Sequence, residues 1–88
     1  MKHIGIAAVT AEGAALCYRT ICIRAAEILG ARRHPEITLH THSFSNIFDA
    51  QMRGDWAAVA DLVVDSLQKL QKSGADFAIM PANSTHFA

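Results

Sequence analysis

Three short apolar runs alternate with two long amphipathic segments, and this order most constrains the fold of the 88-residue chain. Residues 2–9 are rich in Ile, Ala and Val, which is typical of a strand covered on both faces. Residues 36–42 and 75–80 supply two more strands. Because the intervening helices are long enough for right-handed crossovers, we predict an α/β fold of three layers, built on a parallel β-α-β-α-β sheet.

The two amphipathic segments have recognisable ends. In residues 11–29 apolar side chains recur at three- and four-residue steps, and Gly30 suits the C′ position that ends a helix. The second helix begins after Asp55, which stands where an N-cap would stand, and ends at Ser73. Both segments are therefore predicted to be helices that pack on the sheet.

The second strand alternates with a period of two residues. A regular strand places Thr38, His40 and His42 on one side of the sheet. Residues 43–54 are then predicted to form an irregular connection, with a short helical turn through residues 47–48.

Composition argues against several classes of function. The formal net charge is zero and no basic run is longer than residues 32–34, so binding to nucleic acid or to an anionic membrane is not expected. The apolar runs are too short to span a bilayer and no signal-peptide pattern opens the chain, so we predict a cytoplasmic protein. Cys17 and Cys22 are interpreted as buried thiols, since their spacing suits neither a disulfide nor a local metal pair.

The last strand bears on domain organisation. A parallel unit normally continues into another helix that covers the sheet, and none follows residues 75–80. We therefore interpret residues 1–88 as a single partial α/β lobe of a longer protein.

Polar residues follow the first and third strands, which end at one common edge of a parallel sheet. Thr10 stands in the first of these loops, and Asn83, Ser84 and Thr85 stand in the last. With the N–H groups that open a helix, their hydroxyl and amide groups suit a small carboxylate or phosphate. Alternatively, residues 83–85 only cap a following helix, and the sequence leaves both interpretations open.

Other candidate groups give weaker signals. The Gln51 side chain is predicted to lie at the same edge of the sheet. Its amide group either binds a ligand carboxylate or forms hydrogen bonds with the backbone of the loop, and both interpretations stay open. Trp56 heads an apolar stripe and is predicted to anchor the core. His40 and His42 could share a metal ion, but no third ligand with suitable spacing is evident, so no metal site is predicted. Since the phosphate-binding glycine motifs are also lacking after the first strand, no nucleotide cofactor is expected.

Five short segments, spread over the whole chain, form a recognisable pattern. They are Ile-Gly-Ile at 4–6, Tyr-Arg at 18–19, Gln51 with Gly-Asp-Trp at 54–56, Gly-Ala-Asp-Phe at 74–77, and Pro-Ala-Asn-Ser-Thr-His at 81–86. In order and spacing the pattern resembles the aspartate/glutamate racemase family, in particular its amino-acid racemases that work without pyridoxal phosphate. The resemblance implies an enzyme of amino-acid metabolism that uses no cofactor.

The resemblance also implies a partner for this lobe. Members of the family have two similar α/β lobes that face each other across a cleft, and each lobe supplies one acid/base cysteine. By this likeness the chain is most of the first lobe, and its partner is a second lobe of the same protein. A homodimer is compatible with this arrangement.

The closing motif departs from the family pattern at one position. Ala82 stands where the first catalytic cysteine normally stands, whereas Asn83 and His86 match the pattern and Ser84 replaces a threonine of similar chemistry. Alanine has no titratable group and can neither take nor give a proton. Three explanations follow: an engineered replacement, a natural enzyme with one-sided chemistry, or a protein that binds without racemising.

The implied function is that of a racemase or epimerase-type isomerase acting on aspartate or glutamate by proton transfer at Cα. The substrate-binding residues predicted for it are Thr10, Gln51, Asn83, Ser84 and Thr85. Two alternatives are an inactive carboxylate-binding or regulatory protein on the same scaffold, and a related decarboxylase or cis-trans isomerase.

Overall fold

The computed structural model describes residues 2–81, so the predictions for Ala82, Asn83, Ser84, Thr85 and His86 lie outside the described residues. The elements follow one another as β1 (Ile4–Ala8), α1 (Ala11–Leu29), β2 (Ile37–Thr41), α2 (Phe44–Met52), α3 (Trp56–Lys72) and β3 (Phe77–Ile79). The predicted strands and the two long helices are all present, with each strand end shortened by one or two residues. The α/β class is confirmed.

The three strands form one parallel sheet in the order β2-β1-β3. Ile4 pairs with Ile37 on one side and with Phe77 on the other, which makes β1 the central strand. The chain crosses from β1 to β2 through α1 and returns past β1 to β3 through α2 and α3. This change of direction creates a topological switch point between the ends of β1 and β3.

The helices cover opposite faces of the sheet and so make the predicted three layers. On one face Ile6 and Ala8 pack with Ala14 of α1 in a buried cluster. On the other face Gly5 lies against the end of α3 and the turn that follows it, where an added Cβ would stand 3.2 Å from the Leu70 Cβ of the helix and 3.1 Å from the Ala75 Cβ of the turn. The missing side chain at Gly5 therefore allows the close approach of α3 to β1.

Both long helices begin at side-chain caps. The Thr10 hydroxyl accepts a hydrogen bond from the Gly13 N–H at 3.2 Å, and the Asp55 carboxylate accepts one from the Ala58 N–H at 3.1 Å. Gly30 ends α1 with a φ of 109°, a conformation that side chains rarely adopt. The helix boundaries thus follow from local sequence signals.

The connection after β2 was predicted incorrectly as irregular. Residues 44–52 form the helix α2, which buries Ile47 and Ala50 three residues apart on one face. Phe44, Phe48 and Met52, which stand beside this face, are exposed. Phe44, Ile47, Phe48 and Met52 do recur at helical spacing, but the segment is only nine residues long and the Ser43 side chain makes no cap hydrogen bond at its start.

The prediction that Trp56 anchors the core was also wrong, since its side chain is 54% exposed. Helix α3 runs antiparallel to the strands, with Leu70 beside Gly5 and Leu62 beside Val9. Its 17 residues span about 25 Å, whereas a five-residue strand spans about 17 Å. The first turn of α3, with Trp56, therefore extends past the sheet. Within residues 2–81 no helix combines the length and hydropathy needed to cross a membrane.

Candidate functional site at the carboxyl edge of the sheet

The loops that follow β1 and β3 meet at the switch point. A Cβ added to Gly13, in the first turn of α1, would stand 2.8 Å from the Pro81 carbonyl oxygen and 2.9 Å from the Thr10 Oγ1. Pro81 is the last described residue and the one that precedes the Ala82 motif. The sequence prediction that these two loops share one edge is thus confirmed as far as Pro81.

The beginning of α1 offers hydrogen-bond donors at this edge. The Gly13 N–H is bonded to the Thr10 hydroxyl, and the Ala14 N–H to the Thr10 carbonyl at 3.1 Å. The N–H groups of Ala11 and Glu12 remain as the leading donors of the helix, where the positive end of its dipole favours an anion. The Thr10 hydroxyl proton adds a further donor, because its oxygen acts as acceptor in the cap.

An open cavity of about 310 Å³ lies in front of these donors. It is lined by Thr10, Ala11 and Glu12 from the first loop and by Phe44 from the start of α2. The Phe44 ring gives the cavity an apolar wall, and the Glu12 carboxylate is exposed at its rim. This combination of donors, one acid and one aromatic wall suits a small molecule that carries both a carboxylate and an ammonium group.

Gln51 does not line this cavity. It is half-buried on the last turn of α2, and its backbone carbonyl oxygen accepts a hydrogen bond from the Gly54 backbone N–H at 2.9 Å. Its role toward a ligand stays a prediction. The roles of Asn83, Ser84 and Thr85 stay predictions as well, since these residues lie outside the described range.

A larger cleft of about 410 Å³ separates α2 from α3. Its charged lining consists of Asp49, Asp61, Asp65 and Arg53. Three carboxylates against one guanidinium repel an acidic ligand, so electrostatics favours the smaller cavity at Thr10 as a carboxylate site.

A polar cluster missed by the sequence analysis joins β2 to α3 beside this cleft. Asp65 Oδ2 lies 3.1 Å from His42 Nε2 and 2.9 Å from Lys69 Nζ, and His40 Nδ1 lies 2.7 Å from the Ser66 Oγ. Asp65 is therefore the third group near His40 and His42 that their sequence spacing did not reveal. The signal that the sequence offered was the polar residue Asp65 beside the apolar face of the second predicted helix. It meets His40 and His42 only because α3 packs on β2.

Two pKa values in this cluster depart from their ordinary values. Burial, followed by the charges of His42 and Lys69, lowers the pKa of His40, while Asp65 opposes the shift. The hydrogen bond from Lys69 lowers the pKa of the Asp65 carboxyl. At neutral pH the His40 ring is thus neutral and Asp65 is ionised.

The two cysteines lie away from the carboxyl edge. Cys17 packs against the buried cluster of Ile6, Ala8 and Ala14, and burial raises the pKa of its thiol. Both cysteines are half-buried and not fully buried as the sequence predicted, and neither forms a disulfide within residues 2–81. A protonated, packed thiol at Cys17 agrees with a structural role.

The fold and its edge define a class of protein: an α/β lobe with a parallel sheet and an open cavity at the switch point, beside the first helix. No family model matches the chain. Among solved structures it is similar to a Yersinia pestis protein described as a candidate Asp/Glu racemase, with a TM-score of 0.91 and 27% sequence identity. The match covers 99% of this chain but 38% of that protein, so the chain spans well under half of its length. The resemblance to the aspartate/glutamate racemases inferred from sequence is thereby confirmed, and the sheet with its three helices corresponds to one racemase lobe.

Proposed function

We propose that the complete protein is an isomerase of the racemase or epimerase type that acts on aspartate or glutamate without pyridoxal phosphate. The observation that carries this proposal is the meeting of the Thr10 and Pro81 loops at the switch point of a racemase-like lobe. A second lobe of the same protein, which closes over this edge, is part of the proposal. So is a cytoplasmic location.

Substrate binding follows from the groups at the edge. We assign one substrate carboxylate to the N–H groups of Ala11 and Glu12 and to the Thr10 hydroxyl, because helix-opening donors and the helix dipole stabilise an anion. The Glu12 carboxylate at the cavity rim suits the α-ammonium group. In this proposal Asn83, Ser84 and Thr85 orient the same substrate from the loop after Pro81, and Gln51 is an outer contact.

Racemisation needs one group that removes the α-proton and another that returns a proton to the opposite face. Ala82 supplies neither. The proton-transfer group must then come from the second lobe, and the reaction on the Ala82 side depends on water or is absent. We therefore expect one-sided proton exchange, in which one enantiomer loses its α-proton much faster than the other.

Deuterium incorporation at Cα tests this function directly. The complete protein is incubated in D₂O with each enantiomer of aspartate and glutamate, and mass spectrometry measures the exchange. Exchange with one enantiomer only is the expected result. Lack of exchange with all four compounds, despite measurable binding, contradicts the isomerase proposal.

Restoring the thiol is the sharper experiment. Ala82→Cys is expected to raise interconversion of the enantiomers, because it supplies an acid/base group on the empty side of the substrate. Ala82→Ser is the matched control, since it adds a polar atom of similar size whose hydroxyl is far less acidic. Equal rates for both variants contradict the assignment of Ala82 to the proton-transfer position.

Ala82 itself favours a second candidate function, a carboxylate-binding or regulatory protein on the racemase scaffold. Calorimetry that detects binding of an acidic amino acid, together with no exchange in D₂O, distinguishes this protein from the enzyme. A decarboxylase or a cis-trans isomerase of a dicarboxylate is recognised instead by its product in the same incubation.

A further inference from the structure

His40, His42 and Asp65 bring three metal-binding side chains together on the α3 side of the sheet. The two imidazoles project from the same side of β2, with ring centroids 4.8 Å apart and planes at 85°. Asp65 approaches them from α3, and its Oδ2 lies 3.1 Å from His42 Nε2. One potential ligand atom from each of the three residues lies within 4.8 Å of the others.

We propose that these three residues form a site for a divalent transition-metal ion of borderline softness, of which Zn²⁺ is the model case. Two imidazoles and one carboxylate are a ligand set that zinc accepts, with water in the fourth position. Metal–ligand bonds of about 2.0–2.2 Å in a tetrahedral site place ligand atoms about 3.3 Å apart. The His42–Asp65 pair already meets this spacing, and side-chain rotation closes the remaining distance to the third atom.

The surroundings of His40 are those of an oriented metal ligand. Its Nδ1 is held at 2.7 Å by the hydroxyl of Ser66, which is only 3% exposed. A hydrogen bond at one ring nitrogen fixes the ring and leaves the other, Nε2, free for a cation.

Two groups compete with a metal ion at this site. Lys69 Nζ lies 2.9 Å from the same Asp65 oxygen that faces His42. His42 Nε2 faces both the Asp65 carboxylate and the Leu62 carbonyl oxygen, at 3.1 and 3.2 Å, and since both can only accept, it carries a proton in the metal-free protein. A metal bound through Nε2 therefore requires the other tautomer, in which the proton sits on Nδ1 of the neutral ring, and it draws Asp65 away from Lys69.

The adjacent cleft favours cation entry. Asp65 lines this cleft together with Asp49, Asp61 and Arg53, so carboxylates outnumber the guanidinium three to one. The Asp65 side chain is 43% exposed and accessible from the cleft. A bound ion would link β2 to α3 and so stabilise the folded lobe, because the unfolded chain lacks the assembled site.

Metal titration of the complete, chelator-treated protein tests the site. Co²⁺ is added as a spectroscopic probe and Zn²⁺ as the calorimetric ligand, and thermal unfolding is followed with and without Zn²⁺. A tetrahedral Co²⁺ absorption spectrum, one Zn²⁺ per chain and a higher Tm with Zn²⁺ are expected. His42→Gln and Asp65→Asn are each expected to weaken Zn²⁺ binding at least about tenfold. The matched control His34→Gln changes an exposed histidine outside the cluster and is expected to leave affinity unchanged.

Lys69→Met provides a test that does not depend on removing a ligand. Lys69 is half-exposed on α3, so its replacement preserves the fold, and loss of the competing ammonium group is expected to strengthen Zn²⁺ binding. Unchanged or weaker binding in this variant would overturn the proposal. Equal loss of affinity in His34→Gln and His42→Gln would also overturn it, as would a thiolate charge-transfer band with Co²⁺, which places the ion at a cysteine.

Discussion

His3 and Asp76 join the central strand to the last strand through a reciprocal pair of hydrogen bonds. The His3 backbone N–H donates to the Asp76 Oδ2 at 2.6 Å, and the Asp76 backbone N–H donates to the His3 carbonyl oxygen at 2.7 Å. The two residues stand 73 positions apart, immediately before the Ile4–Phe77 pair of the sheet. Asp76 therefore fixes the register in which the last strand joins β1, and so the position of the loop that follows it.

We expect Asp76→Ala to lower the free energy of unfolding by about 1 kcal/mol, because the His3 N–H loses a charged acceptor. The exposure of Asp76 keeps the loss below the range of about 1.5–3 kcal/mol that is typical of hydrogen bonds to charged groups. Urea denaturation at constant m-value measures the change. Asp76→Asn is the control, since it keeps an acceptor oxygen and should lose less. If Asp76→Ala were as stable as the unchanged protein, the backbone hydrogen bond from the residue 76 N–H to the His3 carbonyl oxygen would be sufficient to fix the register.

Gly5 gives a prediction about packing between β1 and α3. Gly5→Ala should destabilise the protein by about 1–3 kcal/mol, because the added methyl group meets the Cβ atoms of Ala75 and Leu70 at 3.1 and 3.2 Å. Denaturant unfolding measures the loss. Ala75→Gly in the same chain removes one of these contacts and should recover part of the stability. Failure of this double variant to recover any stability would mean that the crowding lies elsewhere.

The elements that local signals define were predictable from the sequence. Helices α1 and α3 begin at the capping residues Thr10 and Asp55, and their inner faces repeat at helical spacing, so their bounds follow from short stretches of chain. Helix α2 lacks these signals, because it has only nine residues and the Ser43 side chain makes no cap hydrogen bond at its start. The helical spacing of Phe44, Ile47, Phe48 and Met52 was the signal that the sequence offered.

The side-chain clusters also include one arrangement that the sequence predicted and one that it did not. That the loops after β1 and β3 meet follows from parallel topology alone, and the contact between Gly13 and Pro81 agrees with it. The meeting of Asp65 with His42 depends on the position of α3 over β2, which has no signature in the local sequence. Long-range packing therefore accounts for what the sequence analysis missed.

Thr10 caps α1 and also lines the cavity proposed to bind substrate, and a comparison with a second cap variant separates these two roles. Thr10→Ala should lower the free energy of unfolding by about 1 kcal/mol through loss of the α1 cap, and it should also weaken binding of an acidic amino acid. Asp55→Ala is the matched control, because it removes the equivalent cap of α3 at Ala58 without touching the Thr10 cavity. Chemical denaturation and calorimetry measure the two effects. Equal loss of ligand affinity in both variants would indicate general destabilisation instead of a binding role for Thr10.

The polar cluster on β2 predicts how stability depends on pH. Burial, with the charges of His42 and Lys69, holds the pKa of His40 below its ordinary value of 6.5, and Asp65 opposes the shift. Just below pH 6.5 the unfolded chain therefore binds more protons at this position than the folded chain. The contribution of His40 to stability is complete above pH 6.5 and is lost progressively as the pH falls toward the lower, folded-state pKa.

Denaturant unfolding between pH 7.5 and about 5, with a chelator present, should show this loss. In His40→Gln the free energy of unfolding should depend less steeply on pH over the same range. Glutamine can keep a hydrogen bond to Ser66 but does not titrate, whereas His34→Gln removes an exposed histidine and should leave the slope unchanged. Asp65 acts at lower pH: the hydrogen bond from Lys69 lowers the pKa of its carboxyl below 3.8, so its contribution is lost as the pH falls from 3.8 toward the lower, folded-state pKa. A slope near pH 6 that persists in His40→Gln would assign the titration to another group.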